Sequence, residues 1–453
     1  MESLIVNVKL ILPLVLCANL ACAGRGAYIV IENNTPEHII VSPAGDNCVN
    51  HVGRINYEFN GVGVHKAYLE AVGGGSCSSP SSSYGKIKID VKKNGQMHEI
   101  AKTRYSISAL KNSQQSLVYA DRHYSVRARS YNIISRFSGQ DILYIQIDPN
   151  RDAMMTHNIY TDWMGNLSES VKNRPLSHIV LPGTHDSFSN DLSGTLCNAD
   201  PSASFAAKLP YFGISFAKAQ GLNFIEQLER GIRYFDVRLC QQDGNVYTVH
   251  SLISKQTFYD QVNHLASFLK SHPTEIVILD LNHLYGFDDG QLTSLLDHFL
   301  HHYDYDLLSY NNFSPTSTLA EMQKTGKNLI VILGDKEREQ AMKKNRKYSV
   351  FWPASSIESP WPNTTDINVD MSMNSKNLYQ RSDQKLFVNQ LQLTPDTNFI
   401  LNNPSYNLEY NSRLYAQDTY RWLEEHKDQG MNIFITDFAS GYGQTLFAIK
   451  ANS

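Results

Sequence analysis

The sequence predicts an α/β protein in which a (β/α) TIM-type barrel is preceded by a small all-β, sandwich-like domain. Residues 27–150 contain short runs that alternate between apolar and polar side chains, which is typical of half-buried strands. After residue 150, continuous apolar runs alternate with helix-like stretches, which is typical of parallel strands covered on both faces. A chain of 453 residues is also long enough for two domains.

Residues 1–23 are predicted to be a secretory signal peptide. Lys9 precedes the apolar stretch LILPLVLCANLACA, whose last residues, Ala21-Cys22-Ala23, supply a cleavage site. The apolar core is too short to span a bilayer comfortably. The alternative is a lipoprotein signal with Cys22 as the modified residue, which Asn19 disfavours because such signals have an aliphatic residue there. We therefore expect a secreted, extracellular protein.

Composition and charge indicate a globular protein without a nucleic-acid partner. Hydrophobic residues make up 42% of the chain and charged residues 19%, which gives no sign of disorder. A formal net charge of −4 argues against a dedicated nucleic-acid-binding protein. We expect a monomer.

Four cysteines follow the predicted signal peptide, and an even number in an exported chain suggests disulfides. Three pairings are possible. Cys48 with Cys77 and Cys197 with Cys240 is the pairing that keeps each bridge within one predicted domain, and it is the pairing we expect. Four buried free thiols are the alternative.

The first predicted domain spans residues 24–150 and contains no acid–base constellation. Its strand candidates are separated by residues typical of turns, and residues 73–85 are too rich in Gly and Ser to pack. Its basic and aromatic residues are more typical of a solvated strand face than of a ligand site. The role of this domain stays open at this stage.

The second predicted domain spans residues 151–453. Helical candidates at 258–272 and 290–303 have apolar residues at three- and four-residue steps. Six or more strands in a segment of this length fit a (β/α) barrel better than an open sheet, because such barrels take about 250 residues and tolerate insertions. The strand candidates are HIVLPG (178–183), IRYFDVRL (232–239), VYTVH (246–250), EIVILDL (275–281), NLIVIL (328–333) and NIFITDF (432–438).

Polar and ionisable side chains occupy the carboxyl ends of five strand candidates, which is where barrels place their active sites. Each has an ordinary structural explanation when taken alone, such as a surface histidine or an ion pair inside the barrel. Their joint placement favours a single catalytic site. The residues are His185, Asp186, Asp236, Arg238, His250, Asp280, Asn282, His283 and Asp437.

Two histidines and one arginine suit the cleavage of a phosphodiester. One imidazole takes a proton while the other gives one, because imidazole titrates near neutral pH. A guanidinium adds a permanent positive charge that stabilises an anionic, phosphate-like transition state. The sequence therefore predicts a phosphoric diester hydrolase or lyase with His185, His250 and Arg238 at its centre.

Five segments resemble the phosphatidylinositol-specific phospholipase C superfamily, and in particular its X-domain-only proteins. They occur in the family's order and at similar spacing, and the resemblance covers about residues 157–450. It implies a barrel that cleaves phosphatidylinositol or a related inositol phospholipid through an inositol cyclic phosphate. The segments are LPGTHDS (181–187), GIRYFDVRL (231–239), VYTVHSL (246–252), TEIVILDLNHLYGF (274–287) and PWPNTT (360–365).

The resemblance also implies a role for each residue. His185 would be the general base on the inositol 2-hydroxyl, and His250 would protonate the leaving diacylglycerol oxygen and later activate water. Arg238 would stand beside the phosphate, where calcium-dependent members carry a carboxylate. In supporting roles, Asp236 would orient Arg238 and bind the nucleophilic hydroxyl, Asp186 would support His250, and Asp437 would pair with His185.

One stretch departs from the family pattern. VILDLNH (277–283) lacks the lysine that bacterial members use there, so substrate contacts by Asp280 and Asn282 are not carried by the motif. We expect no cofactor and no metal. The alternative is a calcium ion surrounded by Asp186, Asp236 and Asp280.

Two other functions stay open at this stage. The barrel could cleave a glycerophosphodiester or a sphingolipid with a metal held by acidic residues, in which case chelation would abolish activity. The chain could also be a secreted, non-catalytic protein that binds a lipid or a glycan, because fold and motif do not prove turnover.

Contact with a membrane surface is expected, since the acyl chains of the implied substrate lie in a bilayer. Two aromatic-rich stretches are candidates for that contact: FWPASSIESPWPN (351–363), with Trp352 and Trp361, and LPYFGISF (209–216). The alternative is that both are ordinary packed loops.

Overall fold

The structure, a computed structural model, describes residues 26–72, 77, 83–106, 123–131, 141–150, 159–202, 213–403 and 406–453. Within these residues the fold is mixed α/β, and its N-terminal region is all-β. The predicted signal peptide and most of the loop 73–85 lie outside the described residues. Among the helices described, none combines the length and the apolar character needed to cross a membrane.

The N-terminal region consists of two sheets that share one core. One sheet has the order β3-β5-β1-β9-β8 and the other the order β4-β2-β6-β7. Apolar side chains of both sheets, such as Ile31 and Leu69 on the first and Ile39 and Ile89 on the second, form one buried cluster. The strands are β1 (Gly26–Asn33), β2 (His38–Asn47), β3 (Val49–Asn50), β4 (Tyr57–Asn60), β5 (Gly63–Ala71), β6 (Tyr84–Lys93), β7 (Gln96–Ser106), β8 (Tyr124–Tyr131) and β9 (Asp141–Pro149).

A third, larger sheet contains the remaining described strands. Eight of them run parallel in the order β17-β16-β15-β12-β10-β20-β19-β18, and β13, β14 and β11 extend the sheet from β12 as antiparallel strands. The strands are β10 (Leu181–Thr184), β11 (Leu192–Leu196), β12 (Tyr234–Gln242), β13 (Asn245–His250), β14 (Leu252–Thr257), β15 (Val277–Tyr285), β16 (Leu329–Leu333), β17 (Trp352–Pro353), β18 (Ile357–Glu358), β19 (Leu386–Gln390) and β20 (Ile433–Thr436).

The two ends of the parallel path lie close together in the chain, but a closed barrel is not shown. Only the short turn Ala354–Ser356 separates β17 from β18, and no backbone pairing joins these two strands in the described part of the chain. Pro353 has no N–H to donate, which favours an edge position for β17. The predicted parallel α/β sheet is therefore found, whereas its closure into a TIM-type barrel is a proposal.

The prediction that VYTVH (246–250) is a strand of the parallel sheet is wrong. It forms β13, which pairs antiparallel with β12 and β14. Asp243 and Gly244 have φ values of 52° and 79°, which indicates the tight turn that joins two strands of a hairpin. His250 is therefore carried by a hairpin, and not by the carboxyl end of a parallel strand.

Helices accompany the parallel sheet, and their apolar stripes face it. In α6 the residues Leu292, Leu295, Leu296 and Phe299 are buried, at the three- and four-residue steps expected of one helix face. The helices are α1 (Glu169–Lys172), α2 (Gly213–Ala217), α3 (Phe224–Glu229), α4 (Phe258–Gln261), α5 (Leu265–Ser271), α6 (Asp289–Tyr303), α7 (Leu319–Gln323), α8 (Asp335–Lys344), α9 (Ile367–Gln380), α10 (Thr397–Asn402), α11 (Leu408–Leu414), α12 (Ala416–His426) and α13 (Tyr442–Ala451).

Both predicted disulfides are present. Cys48 is bonded to Cys77 in the N-terminal region, and Cys197 is bonded to Cys240 on β12. The alternative of four free thiols is wrong. The predicted domain limit at residue 150 borders residues 151–158, which lie outside the described residues, and it stays a prediction.

Candidate active site

The stretch after β10 brings His185 and Asp186 to the carboxyl edge of the parallel sheet. β10 lies between β12 and β20, and a Cβ on Gly183 would stand only 2.8 Å from the Tyr234 ring. Only glycine therefore fits this close approach. Asp186 has a φ of 41°, and its N–H donates to the Asp236 carboxylate at 3.0 Å. This turn places both side chains against Arg238 of β12.

Arg238 lies at the centre of the site. Its Nε atom is 2.8 Å from Asp186 Oδ1, and its Nη2 atom is 3.3 Å from Asp236 Oδ2. The same Nη2 atom is 3.2 Å from Nε2 of His185. Asp236 and Arg238 are two residues apart on β12, so they share one face of the sheet. The structure thus brings the predicted arginine to the first predicted histidine.

His185 is held between two carboxylates. Its Nδ1 atom is 2.7 Å from Asp437 Oδ1, and its Nε2 atom is 3.1 Å from Asp186 Oδ2. Asp437 follows β20, the neighbour of β10, which is why the two side chains meet. Burial lowers the pKa of His185, but the charges of Asp186 and Asp437 outweigh burial and raise that pKa to about 9. The ring is therefore mostly cationic at neutral pH.

His250 faces His185 from the β13 hairpin. The two ring centroids are 5.9 Å apart. His250 Nδ1 lies 2.7 Å from the carbonyl oxygen of Ala217 and 3.3 Å from Asp186 Oδ2. Since a carbonyl oxygen only accepts, Nδ1 carries the proton in this contact, and Nε2 is the nitrogen that can exchange a proton with a ligand.

The charged groups of the site stabilise one another in their ionised forms. Burial raises the pKa of Asp186, but Arg238, His250 and His185 outweigh burial, and the net shift is downward. Burial lowers the pKa of Arg238, but Asp186 and Asp236 outweigh it and the net shift is upward. Asp186 and Arg238 therefore stay ionised at neutral pH and form a fixed pair of opposite charges.

The two predicted substrate-binding residues have different surroundings. Asp280 accepts a hydrogen bond of 2.7 Å from the Tyr234 hydroxyl, and burial raises its pKa to about 7. Asn282 is the extra residue of a bulge in β15 and donates to Asp236 Oδ1 at 3.3 Å. Asn282 is therefore part of the cluster around Arg238, whereas Asp280 is paired with a tyrosine.

The acidic residues do not suit calcium. His185, Asp186 and Asp236 each offer a ligand atom, and these atoms lie within 4.8 Å of one another. However, Arg238 contacts Asp186 Oδ1 and Asp236 Oδ2, Asn282 donates to Asp236 Oδ1, and Asp280 is bound to Tyr234. Calcium takes six to eight oxygen ligands, so this donor set does not fit it.

One residue that orients the site was not predicted from the sequence. Gln220 donates from Nε2 to the carbonyl oxygens of His185 and Thr436, so it ties the ends of β10 and β20 together. Gln220 lies in a loop without any sequence signal. His283, which the sequence placed among the site residues without a role, lies opposite Arg238 in the pairing of β12 with β15.

The two stretches predicted to contact membranes contain both buried and exposed side chains. Trp352 is fully buried, and its Nε1 donates to the carbonyl oxygen of Leu308, so the prediction for Trp352 is wrong. Trp361 is 54% exposed and Ile214 is 51% exposed. Residues 209–212 of the second stretch lie outside the described residues.

Comparison with known proteins bears on this geometry. The PI-PLC X family model matches residues 205–384, a range that includes Arg238 and His250 but not His185 or Asp437. The chain is 27% identical over 296 residues to PI-PLC X domain-containing protein 2 of Mus musculus. This alignment covers 61% of this chain and 83% of that protein. The chain is therefore similar to the PI-PLC X domain-containing proteins over more than half of its length. The resemblance seen in the sequence is thereby confirmed.

Other relatives have the same description. PI-PLC X domain-containing protein 3 of Danio rerio is 26% identical over 311 residues, which is 62% of this chain and 89% of that protein. Among solved structures, the phosphatidylinositol-specific phospholipase C from Listeria monocytogenes aligns with a TM-score of 0.47 and 19% identity, over 65% of this chain and 99% of that one.

Proposed function

We propose that this chain is a phosphodiesterase that cleaves phosphatidylinositol or a related inositol phospholipid. The observation that supports it best is the arrangement of two histidines around one guanidinium. His185 and His250 face each other with ring centroids 5.9 Å apart, and Arg238 lies 3.2 Å from His185. A general base, a general acid and a fixed positive charge are the three groups that this reaction needs.

His185 is the proposed base. Its Nε2 atom takes the proton of the inositol 2-hydroxyl, and the hydroxyl oxygen then forms a bond to phosphorus. Asp437 holds the opposite nitrogen at 2.7 Å and stabilises the imidazolium that results. Because the pKa of His185 is about 9, only a small fraction of the ring is in the base form at neutral pH.

Arg238 is the proposed phosphate-binding group. Its guanidinium is fixed by Asp186 and Asp236 and carries a charge at any working pH. It stabilises the negative charge that grows on the phosphoryl oxygens as the new bond forms. Asn282 lies next to this pair and is the proposed headgroup contact, while Asp280 is proposed to act through Tyr234.

His250 is the proposed acid. It gives a proton from Nε2 to the diacylglycerol oxygen as the bond between phosphorus and that oxygen breaks. The products are diacylglycerol and inositol 1,2-cyclic phosphate. The neutral His250 ring then takes a proton from water, and the water oxygen forms a bond to phosphorus. The bond between phosphorus and the inositol 2-oxygen breaks, and His185 returns its proton to that oxygen.

Export and membrane contact are part of the proposal. Two disulfides fit an oxidising compartment, which supports secretion through the predicted signal peptide. Trp361 and Ile214 are exposed apolar side chains that could enter the interface of a bilayer. We propose that the protein acts as a monomer on the membrane surface.

The test is an assay on vesicles that contain phosphatidylinositol. We expect turnover by the wild type, and a loss of about 10²- to 10⁴-fold in His185→Ala and in His250→Ala. The control is His301→Ala, an exposed histidine of α6 that should keep full activity. Equal activity in all variants, or no turnover by folded wild-type protein, would contradict the proposal, and the second result would favour a non-catalytic binding protein.

A further inference from the structure

We propose that Arg413 is a positioning residue through which the N-terminal β region holds Asp437 against His185. The inference rests on the proposed function, because it assigns Asp437 a part in catalysis. It gives the N-terminal region a role that its sequence alone did not indicate. The contacts that carry it run from β9 through α11 to the segment that follows β20.

The segment that carries Asp437 depends on outside support. Phe438 has a φ of 48°, a backbone region that non-glycine residues adopt rarely. The carbonyl oxygen of Asp437 accepts from the Ser412 hydroxyl at 2.8 Å, and that of Phe438 accepts from Arg413 Nη1 at 3.1 Å. Two adjacent residues near the end of α11 therefore fix two adjacent carbonyl groups beside the contact between Asp437 and His185.

Arg413 also reaches into the N-terminal region. The same Nη1 donates to the Tyr144 hydroxyl of β9 at 3.1 Å, and the guanidinium stacks 4.4 Å above the Tyr144 ring. Glu32 of β1 is 4.0 Å away, and because burial raises its pKa to about 7, this carboxyl group is only partly ionised at neutral pH. The Arg413 side chain is only 12% exposed. One guanidinium thus joins the β region to the Asp437 segment.

Helix α11 is held in place by the same β region. Arg129 on β8 binds Glu409 at 2.8 Å near the start of the helix. Lys66 on β5 donates to the carbonyl oxygen of Leu414 at 3.0 Å at its end. The helix that presents Arg413 is therefore fixed at both ends, so its contacts with the Asp437 segment have a rigid base.

Loss of this link should make the cationic form of His185 less stable. Four charged or titratable groups face its ring: Asp437, Asp186, Arg238 and His250. Arg413 acts on only one of them, because it holds the backbone next to Asp437. If the Asp437 carboxylate moves away, the imidazolium loses a stabilising charge, whereas Arg238 and the substrate-binding side of the site stay in place.

The experiment compares Arg413→Lys, Arg413→Met and Tyr144→Phe with the control Arg381→Met in the full chain. Arg381 is also a buried arginine, and it donates to the carbonyl oxygen of Ser177 far along the chain from Asp437. We expect Arg413→Met and Tyr144→Phe to lower the His185 pKa measured by NMR titration. The kcat should fall about 10- to 100-fold in Arg413→Met, because a displacement of about 1 Å can cost that much, while KM changes little. Arg413→Lys should recover part of kcat.

The NMR titration separates this inference from the proposed function, because it needs no turnover. If the wild type is inactive but the variants shift the His185 titration, the proposed function fails and the positioning role stands. If Arg413→Met destabilises the fold no more than Arg381→Met and leaves the titration unchanged, Arg413 is a structural residue only. The same holds if Tyr144→Phe, which preserves the buried arginine, leaves both the titration and kcat unchanged.

Discussion

The protonation of His185 is set by its three neighbours at the edge of the sheet. Asp437 and Asp186 lie at 2.7 and 3.1 Å and favour the cation, while Arg238 at 3.2 Å opposes it. The two carboxylates dominate, and the pKa of His185 is raised to about 9. A base with this pKa is strong when deprotonated but scarce at neutral pH, which makes activity depend steeply on pH.

The catalytic rate should follow the deprotonation of His185. The deprotonated form of His185 grows as pH rises toward 9, so kcat/KM of the wild type should rise through that range. Removing the negative charge in Asp437→Asn lowers the His185 pKa, so the rising limb should move to lower pH while the maximal rate falls. Initial rates between pH 5 and 10 give both quantities. If the rising part of the kcat/KM profile lies at the same pH in Asp437→Asn as in the wild type, His185 is not the base.

Individual site residues could be predicted to different degrees. Asp437 was found from its place at the end of the last apolar run, because β20 and β10 are neighbours in any sheet of this topology. The pairing of Asp280 with Tyr234 could not be predicted, since it joins two adjacent strands through side chains of no shared motif. No sequence pattern indicates that the carbonyl oxygen of Ala217 orients His250.

At the scale of elements, the β13 hairpin is the feature that delivers His250. Cys240 on β12 and Val249 on β13 share a small buried cluster with Cys197. The N–H of Cys197 donates to the carbonyl oxygen of Ser251, and Asp200 accepts from the Ser251 N–H, both at 3.0 Å. The disulfide therefore clamps the turn that follows His250.

Removal of the two disulfides should have different effects on activity. The bridges close segments of 29 and 43 residues, so each double variant should lose a similar amount of stability, about 2–5 kcal/mol. Only Cys197→Ala with Cys240→Ala should also lower kcat/KM, by about 10-fold or more, since the His250 hairpin loses its clamp. Denaturant unfolding and vesicle assays measure the two effects. Equal loss of activity from Cys48→Ala with Cys77→Ala would refute the clamp.

Helix α9 contains a buried carboxyl group that costs stability when it ionises. Asp370 is fully buried, and burial raises its pKa to about 8, although Asn374 donates to it and opposes this shift. Between the ordinary pKa and pH 8 the folded state holds a proton that the unfolded state releases. The free energy of unfolding contributed by this group therefore falls as pH rises.

Asp370→Asn should remove this pH dependence. At pH 8.5 the free energy of unfolding of the variant should exceed that of the wild type by about 1–3 kcal/mol. This difference should become smaller toward pH 4. Urea unfolding at several pH values measures it. The control is Asp428→Asn at an exposed position, which should show no such trend. A gap that is constant with pH would mean that Asp370 is not buried in its neutral form.

Elements with continuous apolar runs could be predicted from sequence, and those without could not. β15 and β16 were found because their buried residues are almost all Val, Ile and Leu. β19 was missed because Asn389 and Gln390 interrupt its apolar run. Both are buried and hydrogen-bonded, Asn389 to Asn374 and Gln390 to the carbonyl oxygen of Ser359. A hydrophobicity pattern does not indicate hydrogen-bond partners that lie far apart in the chain.

At the scale of the whole molecule, the N-terminal β region and the α/β region meet along α11 and α12. Lys66 binds Asp418, and Arg413 binds Tyr144, in each case across more than 260 positions of the chain. The all-β character of the first region followed from its alternating pattern. Its contacts did not, because no local pattern specifies which surfaces of two regions pack together.

The central claim is that two histidines and an arginine cleave an inositol phospholipid without a metal ion. The most direct measurement is phosphorus NMR of the products released from phosphatidylinositol vesicles in the presence of EDTA. We expect inositol 1,2-cyclic phosphate to appear first and to be converted slowly to the monophosphate, and we expect neither product to form with His250→Ala. Turnover that requires an added divalent metal ion, or a first product that is not cyclic, would contradict it.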